Sequence, residues 1–176
     1  MRSKGDPDLM HNFKNSWLAE PWEELRIRTS PSLVMDRQTD VPEWELPSWT
    51  KLITGGIDVQ KDCLYWVIRA WGDYMTSQLI ACGKVQTMEE IEPIMNTEFK
   101  LPGGDTAMVN LTLMDSGDRT DEVYEFYYHN SDWMLPCKGT TTMTSHYRLS
   151  IINKAGSKAT GMTLVLVDGG KYKDLI

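Results

Sequence analysis

Between residues 51 and 85 three apolar runs follow one another with almost nothing between them: KLITGGIDVQ, CLYWVIRAWG and YMTSQLIACGKV. Each has the length and the β-branched and aromatic content of a strand. Only Lys61 and Asp62 separate the first two, which reads as a hairpin with a third strand following it. The first strand carries an oddity, because Asp58 stands between Ile57 and Val59. A carboxylate among residues that want burial is costly unless something pairs with it. Asp58 is therefore either an ordinary acid near a strand end or a metal ligand.

Beyond the meander the pattern alternates. TMEEIEPIMNTEF reads as a helix with Thr87 as cap, Glu90 three residues later, and a stripe of Met88, Ile91, Ile94 and Met95. LPGGDTAM reads as a loop and MVNLTLMD as a fourth strand ending on Asp115. SGDRTDEVYEFYYHN turns into a helix with Asp121 and Glu122 in its first turn, where acids suit the dipole. WMLPCKG is a short fifth strand, and residues 140–160 are Thr/Ser/Lys-rich with no clear motif. GMTLVLVDGG is a last buried strand, and KYKDLI starts a helix. This is an α/β layout, and it fits an RNase H-like mixed sheet flanked by helices, with the strand order left open.

The first fifty residues differ. DPDLMHNFKNSWLAEPWEEL reads as a helix opened by Asp6 and Pro7, with Leu9, Phe13, Trp17 and Leu18 on one face and Pro21 interrupting it. Residues 29–49, with Pro31, Pro42 and Pro47, read as an extended connector that Trp44 and Trp49 pin onto a neighbouring surface. The organisation expected is a linker helix and connector over residues 1–50 and a folded domain over 51–176.

Net charge is −7, from 18 basic and 25 acidic side chains. Phosphate attraction favours basic proteins, so a DNA-coating role is disfavoured, although a nuclease can draw positive charge from divalent ions. No apolar run approaches the roughly 18–20 residues of a membrane span, nor is there a signal-peptide core, so a cytoplasmic protein is expected. Cys63, Cys82 and Cys137 are isolated and offer neither a disulfide framework nor a CxxC pair. There is no GxxxxGK[ST] phosphate loop, GxSxG elbow or HExxH motif, so no ATPase chemistry of that kind is expected.

Asp58 on the first strand, Asp115 at the end of the fourth, and Asp168 and Asp174 around the end of the last are candidates for one site. Two-metal phosphodiester hydrolysis needs such a set, with hard oxygens holding two Mg2+ or Mn2+ ions about 3.5–4 Å apart. Acids distant in sequence can converge because adjacent strands lie about 5 Å apart. Gln60, two positions on from Asp58, shares its face and could orient a water or contact DNA. The competing reading is that these are ordinary strand-end acids, and that Tyr124, Tyr127 and Tyr128 serve packing.

The blocks FKNSWLAEPWEE, GGIDVQKDCLYWVIRAWG, LMDSGDRTDEVYEF, CKG and LVDGGKYKDLI, in that order, resemble the large subunit of tailed-phage terminases of the lambda-type gpA group, over its C-terminal nuclease part. The likeness runs from about Phe13 to the C-terminus. It implies an RNase H-like endonuclease that cuts concatemeric double-stranded DNA during packaging, in the host cytoplasm, leaving 5′-phosphate and 3′-hydroxyl ends. It also implies partners: a terminase small subunit, the portal and procapsid, and an ATPase motor domain preceding the nuclease. By the same resemblance Asp58 and Asp115 match the first two catalytic acids, Asp174 (with Asp168 as the other choice) the third, and Lys138 of CKG a phosphate contact. The family continues past the position of Ile176 through a helix that backs the site, which makes this a shortened nuclease domain. The alternative from a different class is a non-catalytic packaging module or inactive prophage remnant that docks through its tryptophans.

Overall fold

Strand β1 (Leu52–Val59) lies near the middle of a seven-stranded mixed sheet. The computed structural model describes residues 31–38, 40–101, 104–141 and 143–173. The chain divides between Asp40 and Val41. In the first unit the described residues hold one five-residue helix, α1 (Pro31–Met35), without a buried side chain. It interrupts the connector expected to be extended, and Pro31 opens it, where a missing N–H costs nothing. The helix expected over DPDLMHNFKNSWLAEPWEEL lies outside the described residues.

In the second unit β1 pairs antiparallel with β2 (Leu64–Trp71), and β2 with β3 (Ser77–Val85). The β1–β2 turn spans Lys61 and Asp62 as expected, closed by the Gln60 N–H donating to the Cys63 carbonyl at 2.9 Å. β6 (Leu111–Asp115) then lies parallel beside β1, β7 (Met134–Thr140) parallel beside β6, and β9 (Thr163–Asp168) parallel beside β7. β8 (Tyr147–Ile151) closes the edge antiparallel to β9, giving the order β3-β2-β1-β6-β7-β9-β8.

Alternation along these strands separates two faces. One face buries Ile53, Ile57, Leu64, Trp66, Ile68, Met114 and Met134. Ile91 and Met95 of α2 (Ile91–Met95) and Val123, Tyr124 and Tyr127 of α3 (Thr120–His129) complete that core. The other face carries Asp58, Tyr65, Val67, Leu113, Asp115, Leu135, Cys137, Val165 and Val167, of which only Val165 is buried. The tail of the connector packs as expected: the Trp44 ring lies 5.6 Å from Trp66 and 6.3 Å from Phe99. Trp49 sits against Gly72, where an added Cβ would come within 2.7 Å of its ring.

Three local expectations give way. The helix expected over residues 87–99 contracts to α2, whose third residue is Pro93. That is still within the first turn, where no N–H donor is required. The Glu90 carboxylate does reach back to the Thr87 N–H at 2.9 Å, the half of a capping box that the spacing foretold. The expected loop over residues 101–108 is instead flanked by a small ribbon of β4 (Phe99–Lys100) and β5 (Thr106–Ala107), turned at Gly104 with φ +95°. The expected motif-free stretch contains β8, whose Tyr147, Leu149 and Ile151 alternate but are 57–65% exposed.

Gly55 on β1 aligns with Thr112 on β6. A Cβ there would stand 2.4 Å from the Thr112 Oγ1 and 2.7 Å from the Met95 Sδ. Thr112 and Met95 are buried, so neither can move aside cheaply. Gly55→Ala should destabilise the fold by about 1–3 kcal/mol through overpacking, outweighing the entropic gain from losing a glycine. Urea denaturation checks this, and an unchanged midpoint would mean that the sheet yields at this point.

Candidate active site

The β1–β6 register aligns Ile57 with Met114, so the next position on each strand places Asp58 beside Asp115. Ile57 and Met114 point into the core, and both carboxylates therefore point to the opposite face. This explains how a strand between apolar neighbours accepts Asp58: Ile57 and Val59 are buried, whereas Asp58 is exposed. The two acids line a cleft of about 540 Å³ with Tyr65, Val67, Leu113, Cys137, Gly139 and Val167.

Each carboxylate is oriented by its own local chain. Gln60 Nε2 donates to Asp58 Oδ2 at 2.8 Å, placing the two side chains on one face. The Gly117 N–H donates to Asp115 Oδ1 at 3.1 Å, and a Cβ on Gly117 would come within 3.3 Å of Asp115 Oδ2. Ser116 ties the end of β6 to β7, its N–H and hydroxyl both donating to the Cys137 carbonyl at 2.8 Å. Arg119, left-handed at φ 47°, then leads into α3 and pairs with Glu122. Glu122 and Asp121 occupy the first turn of α3, as expected, and Asp121 pairs with Lys154. Of the tyrosine stripe, Tyr124 and Tyr127 are core residues and Tyr128 is exposed.

Asp168 is placed differently. Asp115 aligns with Cys137 and Cys137 with Val165, so Asp168 lies two strands away and three residues further along. That is roughly 10 Å in each direction, and the odd spacing sends its side chain to the other face. It is buried and accepts the N–H groups of Met143 (3.0 Å), Gly170 (3.1 Å) and Lys171 (3.2 Å). These backbone donors, Met143 first, hold its carboxyl below the usual range. It so opens α4 (Gly169–Lys173). Asp174 lies outside the described residues. Lys138 is exposed, on the face opposite to its neighbour Cys137. Among the described residues no group of three or more His, Cys, Asp or Glu side chains is placed to hold a metal ion.

Cys137 is the residue that sequence reasoning missed. Burial pushes its thiol up to about 11, with a further push from the charge of Asp115. Its only signal was its place in WMLPCKG, and it joins Asp115 only once β6 and β7 are known to be neighbours. Asp115→Asn should therefore speed alkylation of Cys137 by iodoacetamide at mildly alkaline pH, since removing the anion lowers the thiol pKa. Mass spectrometry of the labelled peptide reads the rate, and no acceleration would separate the two side chains.

Among the described residues no helix is long and apolar enough to cross a membrane. Searches of curated proteins and of solved structures find no significant match. A family profile described as terminase large subunit gpA, endonuclease domain, matches residues 1–176. That match spans the chain: the chain belongs to the endonuclease-domain family of the terminase large subunit gpA.

Proposed function

We propose that this domain is a metal-dependent endodeoxyribonuclease with an RNase H-like fold, cutting concatemeric double-stranded DNA by two-metal phosphodiester hydrolysis. Family membership supports a phosphodiesterase acting on packaged phage DNA. The strand order β3-β2-β1-β6-β7, an antiparallel meander followed by two strands parallel to β1, supports the fold. The observation that carries the reading is the adjacency of Asp58 and Asp115 on neighbouring parallel strands, facing one cleft.

The donor set fits a hard divalent ion. Both ligands are carboxylates, and each uses one oxygen in a hydrogen bond, to Gln60 or to the Gly117 N–H. For Asp58 Oδ1 and Asp115 Oδ2 no hydrogen bond is recorded among the described residues. Magnesium suits one or two carboxylates completed by water and substrate phosphate. Asp58 and Asp115 would hold Mg2+ or Mn2+, with Asp174 as the third acid in preference to Asp168, whose oxygens already serve three backbone donors. Bound there, the ions supply Lewis-acid activation of water and neutralise charge on the phosphoryl group.

The chain's own residues do the rest. Gln60 and Gly117 fix the carboxylates, so no reorganisation is needed when substrate arrives. The apolar floor of Val67, Leu113 and Val167 lowers the local dielectric and strengthens the attraction between acids and cations. Lys138, on the opposite face of the sheet from the cleft, contributes a phosphate contact beyond the strand ends. In its biological setting the domain works in the host cytoplasm with the motor domain, the small subunit and the portal as partners.

Plasmid nicking with Mn2+, Mg2+ or EDTA tests this. Asp58→Ala and Asp115→Ala should each reduce cleavage to the EDTA background. Because Asp58 is exposed and Asp115 only half-buried, stability should stay within about 0.5 kcal/mol of wild type. Wild-type cleavage by either variant in Mn2+ would sink the assignment, as would cleavage that persists in EDTA, and absent cleavage by the wild-type chain would favour an interaction module.

A further inference from the structure

β7 and β9 run three residues past the level of Asp115, ending at Thr140 and Asp168. They so raise a wall roughly 10 Å high beside the carboxylate pair. Beyond the wall, residues 143–146 lead back into β8, and this segment is tied down by hydrogen bonds. The buried Asp168 carboxylate accepts the Met143 N–H at 3.0 Å. Lys171 Nζ donates to the Met143 and Thr144 carbonyls at 2.5 and 2.8 Å. The Asp168 N–H donates to the His146 carbonyl at 2.9 Å. The result is a pocket of about 360 Å³ lined by Thr140, Thr141, Met143, Thr144, Ser145 and Arg148, none of them acidic.

The register adds a second cation. Leu166 on β9 is flanked by Lys138 on β7 and by Arg148 on β8, so both cations share a face, two strands or roughly 10 Å apart. Both are exposed, and among the described residues neither has a carboxylate partner or a side-chain hydrogen bond. Lys51, Arg119, Lys154 and Lys158 are each paired with an acid, whereas Lys138 and Arg148 are left to meet an anion from outside the chain. Hydroxyls and a guanidinium on a fixed loop are the donors that phosphate oxygens accept, with Arg binding two at once.

We propose that this pocket is a subsite for a phosphate of the DNA backbone, with Arg148 as its principal donor and Lys138 gripping a second phosphate. The inference rests on the nuclease reading above. A duplex laid across the strand ends meets the carboxylates on one side of the wall and this subsite on the other, and the subsite fixes its register over the cutting site. Asp168 and Lys171 act through the loop and are positioning residues.

The test is anisotropy of a fluorescein-labelled duplex oligonucleotide with the full chain in EDTA, across a salt series, beside metal-dependent cleavage of the same duplex. Arg148→Gln should weaken binding roughly five- to tenfold and lower the salt slope by about 1, and Arg148→Lys should restore most of both. Cleavage at subsaturating DNA should fall in Arg148→Gln by roughly the same factor as the affinity. Unchanged affinity and slope in Arg148→Gln, with Asp58-dependent cleavage intact, would overturn the subsite and leave the nuclease reading standing. If the wild-type chain neither binds duplex nor cuts it with metal, both fall together.

Discussion

The pairing of β1 with β6 is the contact on which the rest depends. These strands are far apart in sequence, and a parallel pair has no tight turn to set its register. Asn110 supplies one: its Oδ1 accepts the Ile53 N–H at 2.8 Å while its own N–H donates to the Ile53 carbonyl at 2.8 Å. Gly55 then allows β1 to lie against Thr112, whose buried hydroxyl has no hydrogen-bond partner among the described residues. A slip of one residue would turn every β1 side chain to the other face, burying Asp58 and exposing Ile57. The clamp at Ile53 and the bare Gly55 therefore decide, five and three residues before the acid, where Asp58 points.

The distribution of charge follows from the same layering. Glu89, Glu92, Asp121, Glu122 and Glu125 line a cleft between α2 and α3, on the face away from Asp58 and Asp115. Asp121 and Glu125 are bridged by Lys154 and Lys158 of the loop that follows β8. The Lys158 ammonium lowers the Glu125 carboxyl's pKa, with His129 adding to it. Much of the net acidity thus belongs to the helical layer, and the strand ends carry the unpaired Lys138 and Arg148. The net charge of the chain therefore says little about any one surface, because the sum conceals where along the sheet each sign is held.

The meander, β6, β7, β9 and α3 were legible because each is an apolar run bounded by turn chemistry, and those signals are local. β8 was not, since its Tyr147, Leu149 and Ile151 sit among Thr and Ser residues on an edge where they stay exposed. The length of α2 was misjudged because the stripe of Met88, Ile91, Ile94 and Met95 continues through a turn that is not helical. Asp58 and Asp115 could be picked out as strand-end acids, but their adjacency is a property of strand order, which no local pattern encodes. Asp168 shows the converse. Its position at a strand end suggested a ligand, whereas its three backbone donors make it the anchor of a loop and the cap of α4.

On the proposed reading Asp58 and Asp115 form one metal site. Mn2+ binding to the wild-type chain, followed by electron paramagnetic resonance, tests it without any DNA present. Saturable binding is expected that falls by a similar amount in Asp58→Asn, in Asp115→Asn and in the double variant, because each single change already dismantles the shared site. Equal binding by wild type and both single variants would contradict it.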